Sequence, residues 1–357
     1  MFYRRAGIQH TTYKADLQIW PIRFDRLQII AVLALALSIP FWLPRAYVFG
    51  YLMPWVIWSA AALSLNLLVG WTGQIHMGFA AVMAIGAYSS IHLMRLGLPF
   101  ELCLLGAGLA SAVIGLIFGA AALRVKGLYL AISTLALQFL IDWVLVHVSA
   151  ISGGTAATLQ APYPRILGMV VKSDWGLYYI ALAWTILLVI LMINLGRTDT
   201  GRALVAVREK DYAAEMLGIS SFYHKGLAFW TSSFLGGVTG ALLAFVYYRA
   251  ITSTMFTIDM SIQVLAMVII GGLGSVLGSV LGAGLILMAP GLLNNLVNWV
   301  AAAMGLSISV LLLNYLPLVL YGALIMGFLM FEPLGLAKVY DNLRNYLLVW
   351  PFGYTKR

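Results

Sequence analysis

Ten predominantly apolar runs, parted by short basic connections, set the terms on which this chain can fold. They lie at 27–43, 51–70, 74–94, 101–123, 127–148, 176–195, 227–248, 260–273, 276–296 and 308–331. A helix needs about 20 such residues to cross the hydrocarbon core of a bilayer, and only the eighth run falls well short. Composition agrees: 62% of residues are hydrophobic and 9% are charged, whereas a soluble domain carries about 25% charged residues. The expected fold is all-α, a polytopic integral membrane protein of about ten transmembrane helices. Residues 1–26 read as a cytoplasmic segment, 27–331 as the membrane domain, and 332–357 as an amphipathic tail along the inner membrane surface. No short apolar core followed by a small-residue cleavage site appears near the start, so 27–43 reads as a retained span.

Lysine and arginine concentrate on the cytoplasmic side of membrane proteins. With the N-terminus inside, sixteen basic residues fall in inner segments, and only Arg45, Arg95, Arg165, Lys172 and Arg249 in outer ones. This accounts for all twenty-one, places both termini inside, and requires an even number of spans. The net charge of +9 is then mostly topological, which argues against a nucleic-acid partner and for membrane lipid.

One inner segment differs from the rest. Gly196 to Lys225, GRTDTGRALVAVREKDYAAEMLGISSFYHK, gathers five basic residues and four carboxylates between two spans. Arg202 to Leu217 reads as a single helix, opened by cap signals at Asp199 and Thr200 and closed by Gly218. A polar helix between membrane spans points to a soluble partner. The longest outer loop, Ser149 to Trp175, contains SGGTAATLQAPYPR; it is either a plain connection or a cover for a pore mouth or external protein contact. Its length exceeds that of ordinary connections, which favours a function.

Glycines recur within the spans. Gly274, Gly278 and Gly282 repeat every four residues, the spacing that lets helices approach closely in lipid. The functional alternative makes the turns TGQ at 72–74 and GGLGS at 271–275 helix breaks that shape an inner gate. That reading draws in Gly73, Gln74, His76, Gly271, Gly272 and Gly274. Asp142 is the only acid well inside a span, five residues from His147 and so about 140° away around a helix. An outer-interface position and a substrate or inter-subunit contact both remain open for it. His76 and His92, sixteen residues apart, lack ligand spacing, and Cys103 is the only cysteine, so no metal, disulfide or cofactor is expected. Trp55, Trp58, Trp175, Tyr178, Tyr179, Tyr247 and Tyr248 sit near span ends and read as an interfacial belt. No GxxxxGK[ST] occurs, so if transport here is ATP-driven the ATPase is another chain, and no cluster has catalytic spacing, which disfavours an enzyme.

The island GRALVAVREKDYAAEMLGI resembles the coupling loop of bacterial ABC importer permeases, specifically the LivM-like branched-chain amino acid permease family. LSLNLLVGWTGQIHMGFAAVMAIGAY at 63–88, RVKGLYLAISTLAL at 124–137, VLAMVIIGGLGSVLGSVLGAGLI at 264–286 and FEPLGLA at 331–337 agree with it in order. The resemblance implies an importer of branched-chain or related amino acids in the bacterial inner membrane. Its implied partners are a second homologous permease, two cytosolic ATPases and an extracytoplasmic substrate-binding protein. It also implies that the loop at 196–226 contacts the ATPases through Arg202, Arg208, Glu209, Ala213, Ala214, Glu215, Leu217 and Gly218. The sequence departs from the family at QIHM, 74–77, and at SGGTAATL, 152–159.

Overall fold

The computed structural model describes residues 23–123, 128–154, 157–166, 168–304, 310–332 and 334–349. Most of the segment 1–26, Arg124 and Lys126, and the end of the tail at 350–357 lie outside the described residues. Each of the ten apolar runs contains helix. These are α1 (Arg23–Trp42), α2 (Met53–Thr72), α3 (Phe79–Arg95), α4 (Phe100–Leu123), α5 (Leu128–His147) and α6 (Asp174–Leu195). After the island come α9 (Ser221–Leu242), α10 (Ile258–Gly271), α11 (Val276–Met304) and α12 (Val310–Phe331). The island itself forms α7 (Asp199–Glu209) and α8 (Asp211–Met216), and the tail forms α13 (Gly335–Val349).

Among the described residues, six helices are long and apolar enough to cross a membrane: Arg45–Thr72, Phe100–Gly119, Tyr129–His147, Asp174–Leu195, Ser221–Tyr248 and Val276–Trp299. Two of them include single π-helical turns, Val48–Leu52 before α2 and Leu243–Tyr248 after α9. The apolar stretches Arg26–Trp42, Ile258–Gly271 and Val319–Phe328 are shorter. Among the described residues the fold is helical in its architecture, with two short antiparallel strand pairs confined to loops.

α2 lies at the centre. Eighteen of its twenty residues are buried, because α6, α9, α10 and α11 surround it with the island's α7 against one end. α3, α4 and α9 pack closely on one another through small residues; a Cβ at Gly86 would overlap the Gly237 carbonyl, and one at Gly240 the Met83 carbonyl. Gly271, Gly278 and Gly282 likewise seat α10 directly on α11, so at these three positions the glycines serve helix packing.

Of the helices in the apolar runs α3 and α10 are the shortest, and each follows a non-helical stretch, 73–78 and 252–257. Their first turns meet. The Ala80 amide donates to Ser261 Oγ at 2.8 Å, and the Ala81 amide to Gln138 Oε1 at 2.9 Å. Gln138, fully buried on α5, also accepts from Ser261 Oγ at 3.0 Å and donates to the Phe256 carbonyl at 2.7 Å and to Asp142 Oδ1 at 3.0 Å. The first amides of a helix have no intrahelical acceptor, and here side chains of α5 and α10 supply one to α3. Asp142 is half-buried beside this node.

The interfacial-belt expectation is corrected for two residues. Trp58 and Tyr178 are buried, Trp58 beside Gln263 of α10 and Leu287 of α11, and Tyr178 with its Oη donating to the Ala36 carbonyl of α1 at 3.0 Å. The long loop after α5 is pinned down: β1 (Leu159–Gln160) pairs with β4 (Ala250–Ile251), and β2 (Arg165–Ile166) with β3 (Met169–Val170). Arg249, at φ 60°, lays its guanidinium 3.7 Å from the centre of the Tyr163 ring.

Candidate functional site

The charged island does not fold as the single helix expected over Arg202–Leu217. α7 starts earlier, capped by Thr198, whose Oγ1 accepts from the Gly201 amide at 3.2 Å. At Lys210 the backbone becomes extended (φ −153°, ψ 100°), and α8 begins at Asp211. The break has a physical reason. It puts the Asp211 carboxylate in the first turn of a helix, where negative charge is favoured. There it accepts a 2.7 Å bond from Lys225 Nζ, and both side chains are more than four-fifths withdrawn from solvent. Gly218 does end α8 as expected, at φ +83°, with the Ile219 amide returning to the Ala214 carbonyl at 3.0 Å.

The proposed contact residues divide between two faces. Ala214 of α8, a helix that packs on both α7 and α9, is buried, as are Leu204 and Val207 of α7. Glu209, Ala213, Glu215, Leu217 and Gly218 face solvent. Arg202 also faces out, engaged with Asp199 and the Arg197 carbonyl. Tyr212, Met216 and Leu217 stand 75%, 90% and 80% exposed, an apolar crest on an otherwise charged segment. Beside it, Arg202, Ala203 and Ala206 of α7 face Gly218, Ile219 and His224 across a cavity of about 500 Å³.

Arg208 behaves differently, because its guanidinium turns back onto its own chain and donates to the Gly70 carbonyl in the last turn of α2. That helix ends at Gly73, which takes φ +68°. Carbonyls in a last turn lack intrahelical donors, and a cation there meets the negative end of the helix dipole. The two glycine turns identified in the sequence come together here. A Cβ at Gly70 would overlap both Asn66 Oδ1 and the Gly274 amide nitrogen, so these backbones touch only because residue 70 is glycine. Asn66, fully buried, accepts from the Gly274 amide at 2.8 Å and donates to the Ser275 carbonyl at 2.9 Å and Ser279 Oγ at 2.8 Å. Trp71 Nε1 donates to the Gly274 carbonyl at 3.1 Å.

Of the remaining gate candidates, Gly73 is exposed, while Gln74 is buried with its Oε1 lacking a hydrogen-bond partner. His76 is buried between the Phe79 and Phe229 rings, at 6.0 and 5.7 Å, and its Nδ1 accepts from the Gly78 amide at 3.2 Å. Gly271 packs on α11, and Gly272 lies against Leu334 and Ala337 of the tail. Sequence reasoning missed Asn66 and Trp71. The available signal was an amide inside an apolar run, which has to find buried partners.

The profile described as "Branched-chain amino acid transport system / permease component" matches residues 47–330. The chain is 32% identical over 295 residues to the high-affinity branched-chain amino acid transport system permease protein LivM of Salmonella typhimurium, covering 76% of this chain and 69% of that one. The Escherichia coli protein of the same name is 31% identical with the same coverage. The fructose import permease protein FruG of Bifidobacterium longum is 26% identical over 242 residues, 64% of this chain and 69% of that one. No solved structure matches. With the profile covering most of the chain and its apolar helices running through the matched region, the chain belongs to the branched-chain amino acid ABC transporter permease family.

Proposed function

We propose that this chain is the membrane-spanning permease subunit of an ATP-driven importer for branched-chain or closely related amino acids. It crosses the inner membrane about ten times with both termini cytoplasmic, and 1–26, 27–331 and 332–357 serve as inner segment, translocation domain and surface-lying tail. It works with a second homologous permease, two cytosolic ATPases and an extracytoplasmic binding protein. The island at 196–226 is the ATPase contact, with Arg202, Arg208, Glu209, Ala213, Ala214, Glu215, Leu217 and Gly218 in or around it. Gly73, Gln74, His76, Gly271, Gly272 and Gly274 form the inner end of the path.

The observation that carries this reading is the exposed crest of Tyr212, Met216 and Leu217. Apolar side chains on a short helix anchored by the Asp211 ion pair make sense if a protein groove covers them. The family match supplies the kind of partner. A Met216→Glu, Leu217→Glu double variant should insert normally, fail to co-purify with the ATPases, and import no leucine. Parental co-purification together with parental uptake would refute the contact.

A further inference from the structure

We propose that Asn66 and Trp71 are positioning residues which, with Arg208, clamp the island to the turn between α10 and α11 and deliver its movement there. This rests on the reading of the island as the ATPase contact. The flanking helices of the island are α6 and α9, yet its arginine does not hold either of them. Arg208 holds Gly70 on α2, 138 residues away in the chain. One turn back, Asn66 uses both its amide donors and its carbonyl on Ser275, Ser279 and Gly274. Trp71 takes the Gly274 carbonyl, so both polar backbone groups of Gly274 are held by side chains of α2.

The joint is also tight. The backbones of Gly70 and Gly274 are in contact, and a Cβ at Gly274 would come within 3.4 Å of Arg208 Nη1. Close-packed elements with fixed hydrogen bonds move as a body rather than deform, so a displacement of α7 reaches the start of α11 through α2. Gly274 itself takes φ +87° in a turn whose preceding residue, Leu273, is 39% exposed. Movement of this turn is therefore readable from solution.

The test uses the full transporter in proteoliposomes, with Cys103→Ala and Leu273→Cys in this chain. The rate of labelling by a water-soluble maleimide is compared with and without ATP. The clamp predicts at least a fivefold ATP-dependent change in the otherwise unaltered chain. Asn66→Ala should abolish that change while the ATPases still co-purify. Trp71→Phe, which keeps the ring but removes the Gly274 bond, should reduce it at least twofold. No ATP-dependent change without further substitution overturns the proposal, as does a full change in assembled Asn66→Ala transporter. If Asn66→Ala fails to assemble, Trp71→Phe decides: a full change refutes the clamp and a reduced one supports it. Failure of the ATPases to bind even the unaltered chain is a separate result, which defeats the ATPase-contact reading itself.

Discussion

Gly218 and Ala214 place opposite demands on one short helix. Gly218 holds φ +83° with open space around it, so substitution there is opposed by backbone conformation alone. A β-branched residue in that region costs about 1–3 kcal/mol. Ala214 is 2% exposed and limited instead by room, where overpacking costs about 1–3 kcal/mol. Gly218→Val should therefore distort the exit of α8, and Ala214→Trp should lift α8 from α9. Both variants should reach the membrane in normal amounts yet lose most ATPase-stimulated uptake, measured as leucine import in cells. Parental import by both would sink the assignment of this helix as a coupling element. The helix end at Gly218 was legible because a terminating glycine is a local pattern, whereas Ala214 came only from the resemblance to the permease family. Asn66 was not legible, since its partners Gly274, Ser275 and Ser279 lie more than 200 residues away and no spacing within LSLNLLVG announces them.

Among the elements, the island shows how a tertiary contact overrides a helical pattern. Leu204, Val207, Asp211 and Ala214 follow helical spacing, and a continuous helix over them is what local propensity favours. The Asp211 to Lys225 bond instead fixes α8 against the start of α9, and the chain opens at Lys210 to permit it. Lys225→Met removes the ammonium while keeping much of the apolar stem. The expected result is loosening of α8, seen as faster amide hydrogen exchange at 211–217, with α7 little changed. Equal protection in both chains would show that the ion pair does not hold α8. The outer loop is similar in being tied from afar. Its length was visible, but its pairing with Ala250–Ile251 was not, since two-residue strands carry no periodicity. Tyr163→Ala removes the Arg249 stacking, a contribution of about 0.5–2 kcal/mol, and should speed proteolytic cleavage around 153–158. Unchanged cleavage would mean that the β1–β4 pairing alone secures the loop.

At the scale of the molecule, the apolar runs located the long helices among the described residues, because burial in lipid or in a helical core needs uninterrupted hydrophobic length. They could not mark the non-helical stretches that precede α3 and α10, because where those helices start depends on buried side-chain acceptors such as Gln138 and Ser261. Orientation rests on a different physical signal, the sixteen basic residues assigned to one side against five on the other. It makes a prediction independent of transport. Cys103 is the only cysteine, so Cys103→Ala gives a thiol-free background. Ser220, beside α9, and Thr158, in the long loop, are both exposed, and the charge count places them on opposite sides of the membrane. With Ser220→Cys in intact spheroplasts, a membrane-impermeant thiol reagent should not react until the membrane is opened, whereas with Thr158→Cys it should react at once. Both sites face water in the folded chain, so a difference between them reports the membrane rather than burial. Immediate labelling with Ser220→Cys would put the island outside, away from any cytosolic ATPase, and the importer reading would fall with the topology.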